Sequence, residues 1–126
     1  YLSMLKFPYC KLEIFLPASH LPALQEALAQ VDAGHIGKYD HCLTYSPVTG
    51  CWRPLPGAAP YLGQASELCT ASELKVEVTC QSSRLEETLH AIRRVHPYEE
   101  PVINVIPLLA VGADINAAEV FQEAAD

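Results

Sequence analysis

With 126 residues and a mass of 13.8 kDa, the chain has room for one core, and separate domains normally need longer chains. Fifteen acidic residues against eight basic ones give a formal charge of −7, which repels a phosphate backbone and argues against nucleic acid as a partner. Half of the residues are hydrophobic and mean hydropathy is +0.11, which excludes disorder over the whole chain.

No apolar run approaches the roughly 20 residues of a membrane-spanning helix, so no membrane role is expected. Residues 1–8 lack the charged start and long apolar stretch of a signal peptide, and the expected compartment is the cytoplasm. Met4, the single methionine, is the expected native start. The five cysteines, Cys10, Cys42, Cys51, Cys69 and Cys80, are odd in number and widely spaced, so neither a CxxC zinc knuckle, a redox pair nor a complete disulfide framework is expected. Cys10 and Cys80 fall on apolar-facing strand positions and read as small buried hydrophobes.

Residues 11–31 lie over residues 75–95 without a gap, as two copies of one pattern. Lys11-Leu12-Glu13-Ile14 matches Lys75-Val76-Glu77-Val78, and each alternates as a strand with one buried face should. Ser19 matches Ser83 at a helix start, and Ser83 with Glu86 spells a capping box. The first helix, predicted over 19–33 with Pro22 in its first turn and Gly34 as its stop, lines up Leu21, Leu24, Leu28 and Val31. The second lines up Leu85, Leu89, Ile92 and Val95.

A second strand follows each helix, over 39–46 and over 102–107. Pro47-Val48-Thr49-Gly50 then predicts a turn into a short strand over 51–55 that pairs back as a hairpin arm. Residues 56–72 are rich in proline, glycine, alanine and serine, and read as a partner-contacting loop or a solvated connection. Beyond Gly112, residues 114–123 predict a short amphipathic helix, capped by Asp114 and carrying Ile115, Ala118 and Phe121.

Two β-α-β units with both helices on one face predict an α+β ferredoxin-like sandwich with an antiparallel sheet. The expected organisation is a single domain over 1–126, with a core over 9–109 and a tail over 110–126. Tyr39, His41, Leu43 and Tyr45 would share one side of the 39–46 strand, an amphipathic set that suits a subunit contact and predicts a homo-oligomer.

Three segments carry a family resemblance: Gly34-His35-Ile36-Gly37-Lys38-Tyr39-Asp40-His41-Cys42, Arg53-Pro54-Leu55-Pro56-Gly57-Ala58-Ala59-Pro60-Tyr61-Leu62-Gly63, and His96-Pro97-Tyr98-Glu99-Glu100-Pro101. Together, over 10–108, they resemble the CutA-like, PII-like domain inserted in YqfO-type members of the NGG-interacting-factor family. The last motif is also similar to the divalent-cation-tolerance protein CutA. The resemblance implies a ferredoxin-like fold that assembles through sheet faces, often as a trimer, here as a short stand-alone chain. The dinuclear metal centre of the larger members lies in flanking domains, so neither that site nor a hydrolase activity is carried over.

His96, Glu99 and Glu100 are the densest group of metal-ligand types, one imidazole and two carboxylates, a set that suits zinc or copper. Glu99 and Glu100 would point to opposite faces of a strand, so a complete site would need a second subunit. The structural alternative has His96-Pro97 stop the helix, Tyr98 fill a gap and the glutamates pair with cations. Gly34 and Gly37 could offer backbone N–H groups to an anion or simply turn a corner, with Lys38 the nearby cation. The two post-helix loops belong at opposite ends of the sheet.

Trp52, beside Arg53, reads as an interface residue or a stacking surface for a ligand. His20, His35, His41 and His90 are scattered, and no nucleophile-base signature is present. The leading expectation is a homo-oligomeric, non-enzymatic domain that binds a divalent metal or small ligand between subunits. The rival is an interaction module that docks a protein through 34–42 and 53–63, and a metal-dependent hydrolase related to the larger family members ranks last.

Overall fold

Strict polar-apolar alternation puts every second side chain of the first strand, β1 (Tyr9–Leu16), on one side. Cys10, Leu12, Ile14 and Leu16 are buried there, while Tyr9, Lys11, Glu13 and Phe15 turn to the other face. The computed structural model describes residues 7–112. After β1 come α1 (Leu21–Gln30), β2 (Thr44–Trp52), β3 (Cys69–Gln81), α2 (Leu85–Val95) and β4 (Ile103–Leu108). The strands form an antiparallel sheet of order β2-β3-β1-β4, and Leu24, Leu28, Ala91 and Ile92 of the helices are buried with β1 and β3. This is the ferredoxin-like sandwich expected from the repeat. The stripe residues Leu21, Val31, Leu85, Leu89 and Val95 pack around the margin of the core. Each fully buried leucine contributes about 1.5–3 kcal/mol.

The internal repeat has a geometric consequence on the open face of the sheet. Lys11 binds Glu77 at 2.7 Å, and its counterpart Lys75 reaches Glu13, the counterpart of Glu77, at 3.2 Å. Asn104 of β4 adds a 3.3 Å hydrogen bond to Glu13. Hydrogen bonding from Asn104 and then Lys75 holds the Glu13 carboxyl below its ordinary pKa. Reciprocal ion pairs, rather than an apolar layer, therefore occupy the middle of this face.

Three local expectations are corrected. The Ser83–Glu86 capping box does not form: Ser82–Arg84 is a 3-10 turn, Arg84 is the N-cap, and no side chain caps the helix. Glu86 and Glu87 in the first turn and Arg93 and Arg94 in the last complement the helix dipole instead. The turn expected at 47–50 is absent, because β2 runs straight through it and pairs with β3 from Thr44↔Glu77 to Trp52↔Cys69. Pro47 is accommodated because β2 is an edge strand, where a missing N–H can face solvent. Finally, Tyr39 and His41 do not share a strand with Tyr45. The chain there is a compact turn with His41 at φ 58°, and Leu43 packs toward the core.

The hairpin arm exists, built from different residues. β1 ends opposite Leu74, and beyond that point β2 and β3 continue as a two-stranded projection, from Val48↔Glu73 to Trp52↔Cys69. The loop over 53–68 is folded on itself: Ser66 N–H donates to the Pro54 carbonyl at 2.7 Å, and Trp52 Nε1–H to the Leu62 carbonyl at 3.3 Å. Pro107 lies in β4, the opposite edge strand, so each sheet edge carries a proline. The expected start at Met4 and the helix over 114–123 fall outside the described residues. No helix among the described residues is long and apolar enough to cross a membrane.

Candidate functional site

α2 stops at Val95 because His96 precedes Pro97, which forces extended backbone, and His96 has φ −77° and ψ 128°. The imidazole turns inward and is 7% exposed. Nε2–H donates to the Phe15 carbonyl at 2.6 Å, and Nδ1 accepts from the Tyr98 N–H at 3.2 Å. Both ring nitrogens are thus committed, in the tautomer protonated at Nε2. Burial pushes the His96 pKa below its ordinary value, against the Phe15 bond, which favours the charged form. A neutral ring pins the end of α2 to the end of β1.

Tyr98 forms the hub of an aromatic cluster. Its ring lies 5.0 Å from His96, 5.9 Å from Trp52 and 5.9 Å from Tyr61, centre to centre, and Tyr61 meets His20 edge-on at 5.8 Å. The Tyr98 hydroxyl is buried without a hydrogen bond of good geometry to any described group. Burial first, and the neighbouring Glu73 carboxylate second, hold its pKa above the ordinary range. Glu73 is 8% exposed and its carboxylate lies where a side chain on Gly50 would stand. Glu99 accepts the Ala59 N–H at 2.8 Å, which ties the motif after α2 to the 53–68 loop. Glu100 and Arg53 are exposed.

Of the three expected metal ligands, only Glu99 and Glu100 keep lone pairs facing outward. His96 has none free, and among the described residues no three His, Cys, Asp or Glu side chains converge. The described residues of one chain therefore do not form a metal site by themselves in this conformation. Trp52 packs on Tyr98 of its own chain and donates to the Leu62 carbonyl.

The other motif, 34–42, sits at the far end of β1, where Gly34 N–H donates to the Thr79 carbonyl at 2.8 Å. The two post-helix loops are at opposite ends, as expected. The N–H groups of Gly34, Ile36, Tyr39 and Cys42 all bond within the chain and are not presented to an anion. Gly34, at φ 75°, has the Cys42 carbonyl where a Cβ would go, whereas Gly37, at φ 59°, faces open space. Two histidines staple this loop. His35 places Nδ1 2.7 Å from Asp32 and Nε2 2.8 Å from the Gly37 carbonyl, and His41 places Nδ1 2.9 Å from Asp40 and Nε2 3.1 Å from Glu26. Every ring nitrogen faces an acceptor, an arrangement that only the imidazolium satisfies fully, and the pKa of each ring is raised, chiefly by the Asp32 and Asp40 bonds.

The sequence does not single out Asp32, Glu26 or Glu73, and it marks Tyr61 only as part of the 53–63 motif. Asp32 and His35 stand three apart in a turn, a spacing that could have flagged one of these contacts, but nothing along the chain connects Glu73 with Tyr98. A recess of about 180 Å3, lined by Tyr9, Asp32, His35, Thr79, Cys80 and Gln81, opens beside the stapled loop.

No family model matches the chain. It is similar to the GTP cyclohydrolase 1 type 2 homolog of Halalkalibacterium halodurans, 34% identical over 110 residues that make up 87% of this chain and 30% of that protein. The same-named protein of Bacillus subtilis is 34% identical over 80% of this chain and 27% of its own length. The chain thus spans less than a third of these curated relatives. Among solved structures, a Bacillus cereus protein related to NIF3 superposes with a TM-score of 0.70 and 32% identity, over 80% of this chain and 26% of that one. The periplasmic divalent cation tolerance protein CutA of Archaeoglobus fulgidus superposes with a TM-score of 0.63 over 94% of this chain and 99% of its own, at 15% identity, a likeness of fold.

Proposed function

We propose that this chain, a CutA-like domain of the YqfO type, works as a homo-oligomeric, non-enzymatic module. The observation that carries this reading is the apolar margin of β4. Val102, Val105, Ile106 and Leu109 are 53%, 40%, 37% and 41% exposed along one sheet edge. β1 by contrast buries every alternate apolar side chain. An exposed apolar edge is a liability that a second copy removes by covering it. Phe15 borders the same margin and would extend its apolar part, and the half-buried ion pairs of the open face would form the polar part of the contact.

The committed ring nitrogens support a scaffolding role for His96. Light scattering of the full chain tests the reading: an oligomer of defined mass is expected, reduced by Ile106→Glu with the circular dichroism spectrum kept. A monomeric parent would sink it. Stoichiometric zinc or copper in the same sample, lost in His96→Ala, would replace it with an inter-subunit metal site.

A further inference from the structure

Cys10 and Cys80, seventy positions apart, face each other across the two central strands, with Sγ atoms 3.4 Å apart. Spacing along the chain predicts no pair of cysteines, whereas the sheet register sets these two free thiols opposite each other. Directly opposed residues of antiparallel strands stand about 4.5–5.5 Å apart at Cα. That lies within the roughly 4.4–6.8 Å a disulfide spans. The repeat supplies an internal comparison: the position equivalent to this pair in the other half is Leu16 opposite Leu74. Packing alone is thus met by two leucines at one end of the repeat and by two thiols at the other. Both thiols are buried, and Cys80 is one of the residues that line the recess beside His35 and Thr79.

We propose that Cys10 and Cys80 are an oxidative modification site that closes to a reversible disulfide when the folded protein meets a hydroperoxide. The Cys80 sulfur, as its thiolate, bonds to one oxygen of hydrogen peroxide as the O–O bond breaks, becoming a sulfenic acid, and the departing hydroxide takes the thiol proton and leaves as water. The Cys10 thiol then displaces that hydroxyl as a second water, so two thiols lose two electrons and two protons and the peroxide is reduced. Burial pushes the Cys80 thiol up to about 12, so thiolate is scarce at neutral pH and the pair answers sustained rather than brief exposure. The bond would lock the strands next to Thr79, whose carbonyl anchors the 34–42 loop through Gly34.

The test treats the folded full chain with hydrogen peroxide, alkylates the remaining thiols, and maps peptides by mass. The expected product joins the Cys10 and Cys80 peptides, two hydrogen masses below their sum, and dithiothreitol reverses it. A Cys42→Ser/Cys51→Ser/Cys69→Ser variant, with two thiols left, should lose both together without a change in chain mass beyond two hydrogens. Oxidation of Cys51 in the parent while Cys10 and Cys80 still alkylate in full after unfolding overturns the proposal. So does linkage between chains, or conversion of either thiol to a sulfinic acid alone.

Discussion

Replacing His96 with alanine removes a ring that is 7% exposed and holds two backbone groups, the Phe15 carbonyl at 2.6 Å and the Tyr98 N–H at 3.2 Å. Each lost bond is worth about 0.5–1.5 kcal/mol, and a buried group left without a partner costs about 1–3 kcal/mol. Water can reach part of the gap, so the expected loss is about 3 kcal/mol rather than the full sum. At a slope of about 1.5 kcal/mol per molar urea, the unfolding midpoint falls by about 2 M. The measurement is a urea titration followed by circular dichroism at one fixed protein concentration, since the apparent stability of an oligomer depends on concentration. His96→Phe keeps the ring's bulk without its bonds and should recover less than half of the loss. The pH dependence gives an independent readout. Burial holds the folded pKa below the ordinary 6.5, so the stability is complete above pH 6.5 and is lost as pH falls from there through the folded value. An unchanged midpoint in His96→Ala would refute the view of this ring as a structural pin.

His35 and His41 should behave in the opposite sense: with pKa values raised above 6.5, their contribution is complete below pH 6.5 and fades as pH rises through the folded values. Imidazole proton shifts in NMR should titrate above 6.5 for these two and below it for His96, and a common midpoint would remove the basis for the staples. Gly34→Ala should destabilise more than Gly37→Ala. Both carry the left-handed penalty of about 1–2 kcal/mol, and only Gly34 would also strike the Cys42 carbonyl. Equal urea midpoints for the two variants would contradict the packing described. Gly50→Ala should displace the Glu73 carboxylate, and Glu73→Ala should relieve most of that cost, with a coupling of about 0.5–3 kcal/mol in a double-mutant cycle. Additive effects would mean that the carboxylate is free to move aside.

The periodic part of the fold was legible because it repeats. Lys11-Leu12-Glu13-Ile14 and its copy at 75–78 announce two half-buried strands, and the leucine stripes fix which helix faces lie on them. Pro47 and Gly50 carry turn chemistry along the chain, yet they lie within a strand because β2 is at the sheet edge, where a proline is tolerated. The density of His96, Glu99 and Glu100 was visible, but not that the histidine would face inward toward Phe15. That direction is set by where α2 ends relative to β1, a relation between elements far apart in sequence. The same holds for Glu73 with Tyr98 and for Cys10 with Cys80, whose contacts arise from sheet register and the folded loop.

Pro47 and Pro107 set a limit on how copies of this chain can polymerise. A sheet grows into a fibre when each new strand finds an unbroken row of donors and acceptors along a free edge. Here each of the two free edges is broken by a residue with no N–H to give. Copies that met at these margins could not extend an unbroken backbone ladder through them and would have to join side chain to side chain. Replacing both prolines by valine should leave the protomer folded while giving it a tendency to form fibres that lengthen with time and seed their own growth.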